Sequence, residues 1–233
     1  MANGKTCIIT GASRGIGLAT ALRFAKAGYQ IVAAARSEAD LEAAVEKIAA
    51  AGGECLAVTA DVGNPDQARE IVAAAQERFG CVDVLVNNAG RAPLSAVDEM
   101  DGSEFEALVA VNMAAVFHTT QAVWPLMKQR GGGVIVNVSS VASLDPFPGF
   151  AAYGASKAWV NVFSKAIASE GKPHGIRVYA VAPGAVETQM LRGAFPDLPA
   201  EHVLDPDAVA AVIESVCDER MTHATGQTIF VRK

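Results

Sequence analysis

Short, nearly continuous runs of valine, isoleucine and alanine, each followed by a longer stretch of helical periodicity, recur almost from end to end of this chain. Strand-length runs fall at Lys5–Thr10, Gln30–Ala35, Glu54–Ala60, Val82–Asn87, Gly133–Ser139 and Ile176–Ala182, with a weaker one at Thr228–Val231. They do not alternate with polar residues, as befits strands covered on both faces of a parallel sheet. Between them, Gly15–Ala27, Glu38–Ala51, Pro65–Phe79, Ser103–Gln129, Ala151–Gly171 and Pro206–Glu219 read as helices. Asn64-Pro65 and Asp205-Pro206 each put a capping side chain before a proline at the first helical position, and Gly28 and Gly80 sit where helices should stop. Alternating β and α units predict an α/β, doubly wound Rossmann-type sandwich: a mostly or fully parallel sheet of about seven strands with helices on both faces.

No linker or change of composition divides the 233 residues, so one domain spanning 1–233 is expected. The one long irregular stretch is Gln189–Leu204, with Pro196 and Pro199, and a loop of that length is expected to be functional or mobile. A net charge of −6, with 19 Lys and Arg spread along the chain, argues against nucleic acid or anionic membrane as partner. The start, Met1-Ala-Asn-Gly-Lys5, lacks the regions of a signal peptide, and no uninterrupted apolar run approaches the roughly 18–20 residues of a membrane span. A cytoplasmic protein is the expectation. Cys7, Cys55, Cys81 and Cys217 are isolated, so buried reduced thiols are expected rather than disulfides or zinc ligands. The four histidines have no ligand or triad partner in sequence, and no metal is called for.

Two stretches carry chemistry. The first strand runs into Thr10-Gly11-Ala12-Ser13-Arg14-Gly15-Ile16-Gly17 and then directly into a helix. Such a turn offers free backbone N–H groups and the positive end of a helix dipole to a phosphate, although glycine also serves ordinary tight turns. Its place in a βαβ unit favours the phosphate. The second stretch is Tyr153-Gly-Ala-Ser-Lys157, where an ammonium and a phenol share one helix face. A free phenol titrates near about 10. A neighbouring ammonium should lower that value. Taken alone, the pair reads as an ordinary surface contact, which is common at this spacing. Ser139 and Ser140 end the preceding strand, and only one of two adjacent hydroxyls can face a given side.

With these motifs in place, the chain resembles the short-chain dehydrogenase/reductase family, in its compact single-domain, NADP-preferring branch. Besides the glycine turn, Asp61-Val62, Asn87-Asn88-Ala89-Gly90, Asn112, Ser140, Tyr153-x-x-x-Lys157 and Pro183-Gly184 recur in the family's order across essentially the whole chain. The resemblance implies an oxidoreductase acting on a CH–OH or C=O group, with Asn112, Ser140, Tyr153 and Lys157 as its catalytic residues. Ser140 is selected because the family's serine precedes the tyrosine by 13 positions. Asn112 would hold a water that links the lysine to solvent, or be simply a satisfied helix-bend residue.

The resemblance further implies that Gly11, Ser13, Arg14, Gly15, Ile16, Gly17, Asp61, Val62, Asn88, Ala89, Gly90, Pro183, Gly184, Val186 and Thr188 hold the cofactor, with Tyr153 and Lys157 reaching its ribose. Asp61 could instead be a turn aspartate. At the end of the second strand, neutral Ala35 is followed by Arg36 and Ser37. Arg36 and Arg14 would then hold a ribose 2′-phosphate, implying NADP (NADPH); the alternative is NAD, with Glu38 as the ribose acid. Pocket walls are expected from Arg91–Ser95, Val141–Phe150 and Gln189–Leu204, with Leu144, Phe147, Phe150, Met190, Leu191 and Phe195 making them apolar.

A last loop that is short for the family implies an open site, and the family's frequent C-terminal Asp-Gly-Gly is replaced by Thr228-Ile-Phe-Val-Arg-Lys233. A homodimer or homotetramer, paired through Ser103–Gln129 and Ala151–Gly171, is implied by relatives. The functional candidates are an NADPH-dependent carbonyl reductase (a 3-oxoacyl-carrier-protein reductase among them), an alcohol, polyol or hydroxysteroid dehydrogenase, and a non-catalytic NADP-binding regulator.

Overall fold

A computed structural model describes residues 4–233; Met1–Asn3, part of the start read above for a leader, lies outside them. Seven parallel strands form one sheet: β1 (Thr6–Thr10), β2 (Gln30–Ala35), β3 (Cys55–Thr59), β4 (Val84–Asn87), β5 (Gly133–Val138), β6 (Ile176–Pro183) and β7 (Thr228–Val231), in the order β3-β2-β1-β4-β5-β6-β7. The order reverses between β1 and β4, and a crevice opens there at the carboxyl ends of the strands.

The helices are α1 (Gly15–Lys26), α2 (Glu38–Ala50), α3 (Pro65–Phe79), α4 (Gly102–Val109), α5 (Ala115–Arg130), α6 (Ala151–Gly171), α7 (Gln189–Ala194) and α8 (Pro206–Cys217). Residues two apart along a strand face the same layer. Cys7, Ile9, Ile31, Ala33, Val84, Val86, Val134 and Val136 therefore pack against α1, α2 and α8 through Phe24, Leu41, Ile48, Val209 and Ile213. Ile8, Val32, Ala34, Leu85, Ile135 and Val178 pack against α3, α5 and α6 through Ile71, Val123, Met127 and Ile167. The predicted caps form: Asn64 accepts from the N–H groups of Asp66 and Gln67, Asp205 accepts from Asp207, and Gly80 ends α3 in the left-handed conformation.

Two expectations need correction. The single helix read over Ser103–Gln129 is α4 and α5 joined by a π-helical turn, Ala110–Ala114. The wider turn carries one more residue than an α-helix and brings Asn112 to full burial. The stretch Gln189–Leu204 is not irregular throughout. Thr188 caps α7 by accepting from Leu191 N–H at 3.2 Å, and a 3₁₀ turn follows at Ala200–His202. A polar residue before Gln-Met-Leu-Arg was the available signal.

By length and composition alone, residues 102–130 are apolar enough to cross a membrane, with a mean hydropathy of 1.2 over an 18-residue window. In the fold they pack on α3 and the sheet, and Asn112 and Thr119 hydrogen-bond into the domain.

Candidate active site

The glycine turn closes around two contacts that no larger residue allows. A Cβ on Gly17 would lie 2.2 Å from the Gly11 carbonyl oxygen and 2.5 Å from Asn88 Nδ2, so α1 can pack down on the turn only with glycine there. Gly11 and Gly15 have φ of 66° and 54°, a region other residues avoid. The turn is bolted to the β4 loop: Asn88 Nδ2 donates to the carbonyls of Thr10 and Gly11 at 2.9 and 3.1 Å, and the Thr10 hydroxyl accepts from the N–H groups of Asn88 and Ala89. The cradle fits a pyrophosphate approaching backbone at the N-terminus of α1.

From this turn one cleft of about 2030 Å³ runs to Tyr153, large enough for a dinucleotide and a substrate together. Gly11, Ser13, Arg14, Gly15, Ile16, Arg36, Ser37, Asp61, Val62, Asn88, Ala89, Gly90, Pro183, Gly184, Val186 and Thr188 all line it, as do Ser140, Tyr153 and Lys157. Gly17 and Asn112 do not; they shape it from behind. At the β2 end, Arg36 is exposed, whereas Arg14 is tied to Gln189 at the start of α7 by a 2.6 Å hydrogen bond. Glu38, the acid considered for a ribose hydroxyl, does not line the cleft; Asp40, two residues on, does. An Asp61 carboxylate oxygen accepts from Gly63 N–H at 3.0 Å, leaving the residue as both turn-former and wall.

At the other end, the two serines separate. Both line the cleft, but the Ser139 hydroxyl donates to the Lys157 carbonyl at 3.0 Å, while Ser140 Oγ accepts from Ala142 N–H at 3.2 Å. Lys157 is 5% exposed, and its ammonium donates to the Val138 carbonyl at 2.8 Å. Burial pulls its pKa down from 10.5 to about 8. The expected lowering of the Tyr153 pKa does not occur in the protein alone. Burial pushes the phenol above 10.0, and the Ser140 hydroxyl pulls it only part of the way back. Lys157 Nζ lies 5.9 Å from the centre of the phenol ring and spends its directed hydrogen bond on Val138, so desolvation outweighs its field.

Asn112 is a bracket. Its Nδ2 donates to the Arg91 carbonyl (2.9 Å) and to Ser156 Oγ (3.0 Å), and its Oδ1 accepts from Arg91 N–H (2.8 Å). It thereby fixes the β4 loop against α6. Sequence reasoning missed the layer beneath. Asn137, fully buried in β5, accepts from Asn87 Nδ2 at 2.9 Å and donates to Ser164 Oγ at 2.8 Å, while Thr119 donates to Asn87 Oδ1 at 2.7 Å. Polar residues inside an apolar strand run were the available signal. Leu144, expected in the pocket wall, instead points to solvent at 62% exposure and does not line the cleft. Among the described residues, no group of three or more His, Cys, Asp or Glu is placed to hold a metal. All four cysteines are free, and burial pushes Cys55 to about 11 and Cys217 to about 12.

The sheet order, the glycine cradle and the Ser–Tyr–Lys constellation define a dinucleotide-dependent oxidoreductase of the doubly wound class. The profile described as short chain dehydrogenase matches residues 5–199, and the chain belongs to that family. It is 37% identical to a 3-oxoacyl-[acyl-carrier-protein] reductase from Synechocystis sp., over 97% of this chain and 95% of that protein. It is equally 37% identical to 3beta-hydroxysteroid dehydrogenase 1 of Eggerthella lenta, over 98% and 92%. The crystal structure of levodione reductase superposes with a TM-score of 0.93 at 27% identity, covering 99% of this chain and 96% of that one.

Proposed function

We propose that the protein is an NADPH-dependent carbonyl reductase, interconverting a ketone and a secondary alcohol with Tyr153 as general acid and base. The observation that carries this reading is that Ser140, Tyr153 and Lys157 line the same cleft as the glycine cradle and Arg36. The nicotinamide, when bound, supplies the hydride. Arg36 and Ser37 hold the 2′-phosphate at the β2 end, Asp61 and Val62 flank the adenine, and Pro183, Gly184, Val186 and Thr188 border the nicotinamide half. Ser140 donates a hydrogen bond to the substrate oxygen, and Tyr153 delivers the proton. A phenol held above 10.0 by burial stays protonated at neutral pH, as an acid for reduction must. Lys157 restores the proton. The Asn112 side chain is committed to Arg91 and Ser156, so its part is to hold the β4 loop against α6.

Asp40 in the cleft supports a second reading, an NAD-linked alcohol dehydrogenase whose ribose hydroxyl meets that carboxylate. Both readings carry a cytosolic homodimer or homotetramer with them. Phe105, Phe117 and Val162, on α4, α5 and α6, are exposed apolar side chains on the helices through which a second copy would pair.

The deciding experiment is a screen of NADPH and NADH oxidation over ketones, aldehydes, quinones and a β-ketoacyl thioester. Turnover faster with NADPH is expected; no turnover on any class would favour a non-catalytic regulator. Tyr153→Phe should abolish turnover and leave NADPH binding nearly intact, and retained reductase activity would remove Tyr153 from its role.

A further inference from the structure

The wall opposite the cofactor cradle is built of aromatic rings in contact. Starting at the catalytic phenol, Phe150 lies 5.1 Å from Tyr153 between ring centroids, Phe147 lies 4.6 Å from Phe150, and Phe195 lies 5.5 Å from Phe147 and 5.9 Å from Phe150. Both Phe150 and Phe147 line the cleft, Phe150 at 7% exposure and Phe147 at 44%. Leu94 and Met190, also exposed, continue this apolar lining.

The far ring, Phe195, is carried by the Val186–Leu204 excursion, which is firmly held. Its base is zipped by a parallel bridge between Val186 and Leu204, with Glu187 N–H donating to Leu204 O (2.9 Å) and Leu204 N–H to Ala185 O (2.8 Å). Inside the loop, the Arg192 guanidinium holds Glu187 and the carbonyls of Pro196 and Leu198. From behind, Lys233 Nζ donates to the carbonyls of Ala200 and Val203 at 3.1 and 2.9 Å. Phe195 is thus presented at a set place, not on a free tip.

Aromatic faces reward flat, rigid surfaces that can stack or meet them edge-on. A straight acyl chain covers the same wall only by freezing its rotors, at an entropic cost a ring does not incur. We infer that the physiological substrate is a ring-bearing ketone, cyclic or aryl, whose ring lies against Phe147 and Phe195 with its carbonyl at Ser140 and Tyr153. The inference rests on the carbonyl-reductase reading above and narrows its substrate class. Phe147 and Phe195 are then specificity-determining residues.

The test compares two ten-carbon ketones, 2-tetralone and 2-decanone, by kcat/KM with NADPH in the wild type, Phe147→Leu and Phe195→Leu, whose apolar replacements preserve the fold. The wild type should favour the ring ketone by about tenfold, the sum of two aromatic contacts. Each leucine variant should move that ratio towards one by raising KM for 2-tetralone. A wild-type ratio of one or below overturns the inference, as does a variant that lowers both substrates by the same factor, which is what a merely structural role would produce. Turnover of both ketones alike, or of neither while another carbonyl class in the screen above is reduced, overturns the substrate class alone; turnover of neither together with no turnover of any class in that screen overturns it and the reductase reading.

Discussion

Lys157 ties the candidate site to a quantity measurable without any substrate. Its ammonium is buried beside the Val138 carbonyl, and that burial lowers its pKa from 10.5 to about 8. At neutral pH both folded and unfolded chains carry the proton, and the folded state bears a desolvation cost of about 3 kcal/mol. As the pH rises through about 8, the folded lysine releases its proton while the unfolded one retains it until near 10.5. The unfolded state then binds more protons, so stability increases with pH. Between pH 7 and 8.5 the linkage relation gives a gain of about 0.8 kcal/mol. Above about pH 9 the buried thiols act in the opposite sense, because Cys7 and Cys217 are held above the 9.0 of a free thiol and stay neutral when the unfolded chain ionises. The comparison therefore stops at pH 8.5 and uses Lys157→Met as reference, which cancels every group but the lysine. Urea unfolding of both cofactor-free proteins, at equal concentration and at the two pH values, should show the wild type gaining about 0.8 kcal/mol more than the variant. Parallel pH dependences would refute a desolvated ammonium and with it the view that Lys157 sits ready to release a proton near neutrality.

Other outcomes follow from the same geometry. Arg36→Ala should weaken NADPH binding by about 10–100-fold, the worth of charge-assisted hydrogen bonds to a phosphate, and NADH binding far less; fluorescence titration of both cofactors reads the difference, and an equal loss would point to a general effect on the fold. Asn137→Ala removes the centre of the buried Asn87–Asn137–Ser164 chain and should cost about 2–3 kcal/mol, lowering Tm by about 5–10 °C in a thermal melt. Gly17→Ala places a methyl 2.2 Å from the Gly11 carbonyl; both dinucleotide affinity and Tm should fall, and a variant that binds NADPH like the wild type would contradict the packing of α1 on the turn.

What could be read from the residues tracks what each signal measures. The parallel sheet was legible because runs such as Gln30–Ala35 are apolar on both sides, and only a strand sandwiched between helices buries both. The carboxyl-end crevice followed from the alternation of elements, since strand order and crossover hand leave few choices. Asn112 was legible as a residue but not as a geometry. A π turn is one extra residue within a helical pattern, and composition carries no mark of it. The inner polar layer of Asn87, Asn137 and Ser164 was missed because each residue, read alone, has a bland surface explanation. Only register, which sets Asn87 opposite Asn137 in neighbouring strands, makes them partners.

The pKa of Tyr153 shows where a sequence argument about chemistry fails. Spacing places Lys157 one helical turn from the phenol, and an isolated pair at that spacing would lower the phenol's pKa. The sign depends on a third group that spacing does not reveal, the Val138 carbonyl at the end of β5, which takes the ammonium's hydrogen bond while Phe150 covers the phenol. With the lysine turned to the backbone and the phenol dry, burial raises the phenol's pKa above 10.0 and drops that of the ammonium to about 8. Both groups have moved towards their neutral forms. A charge brought in by a bound dinucleotide is then felt at low dielectric, where it acts on both groups more strongly than it would in water.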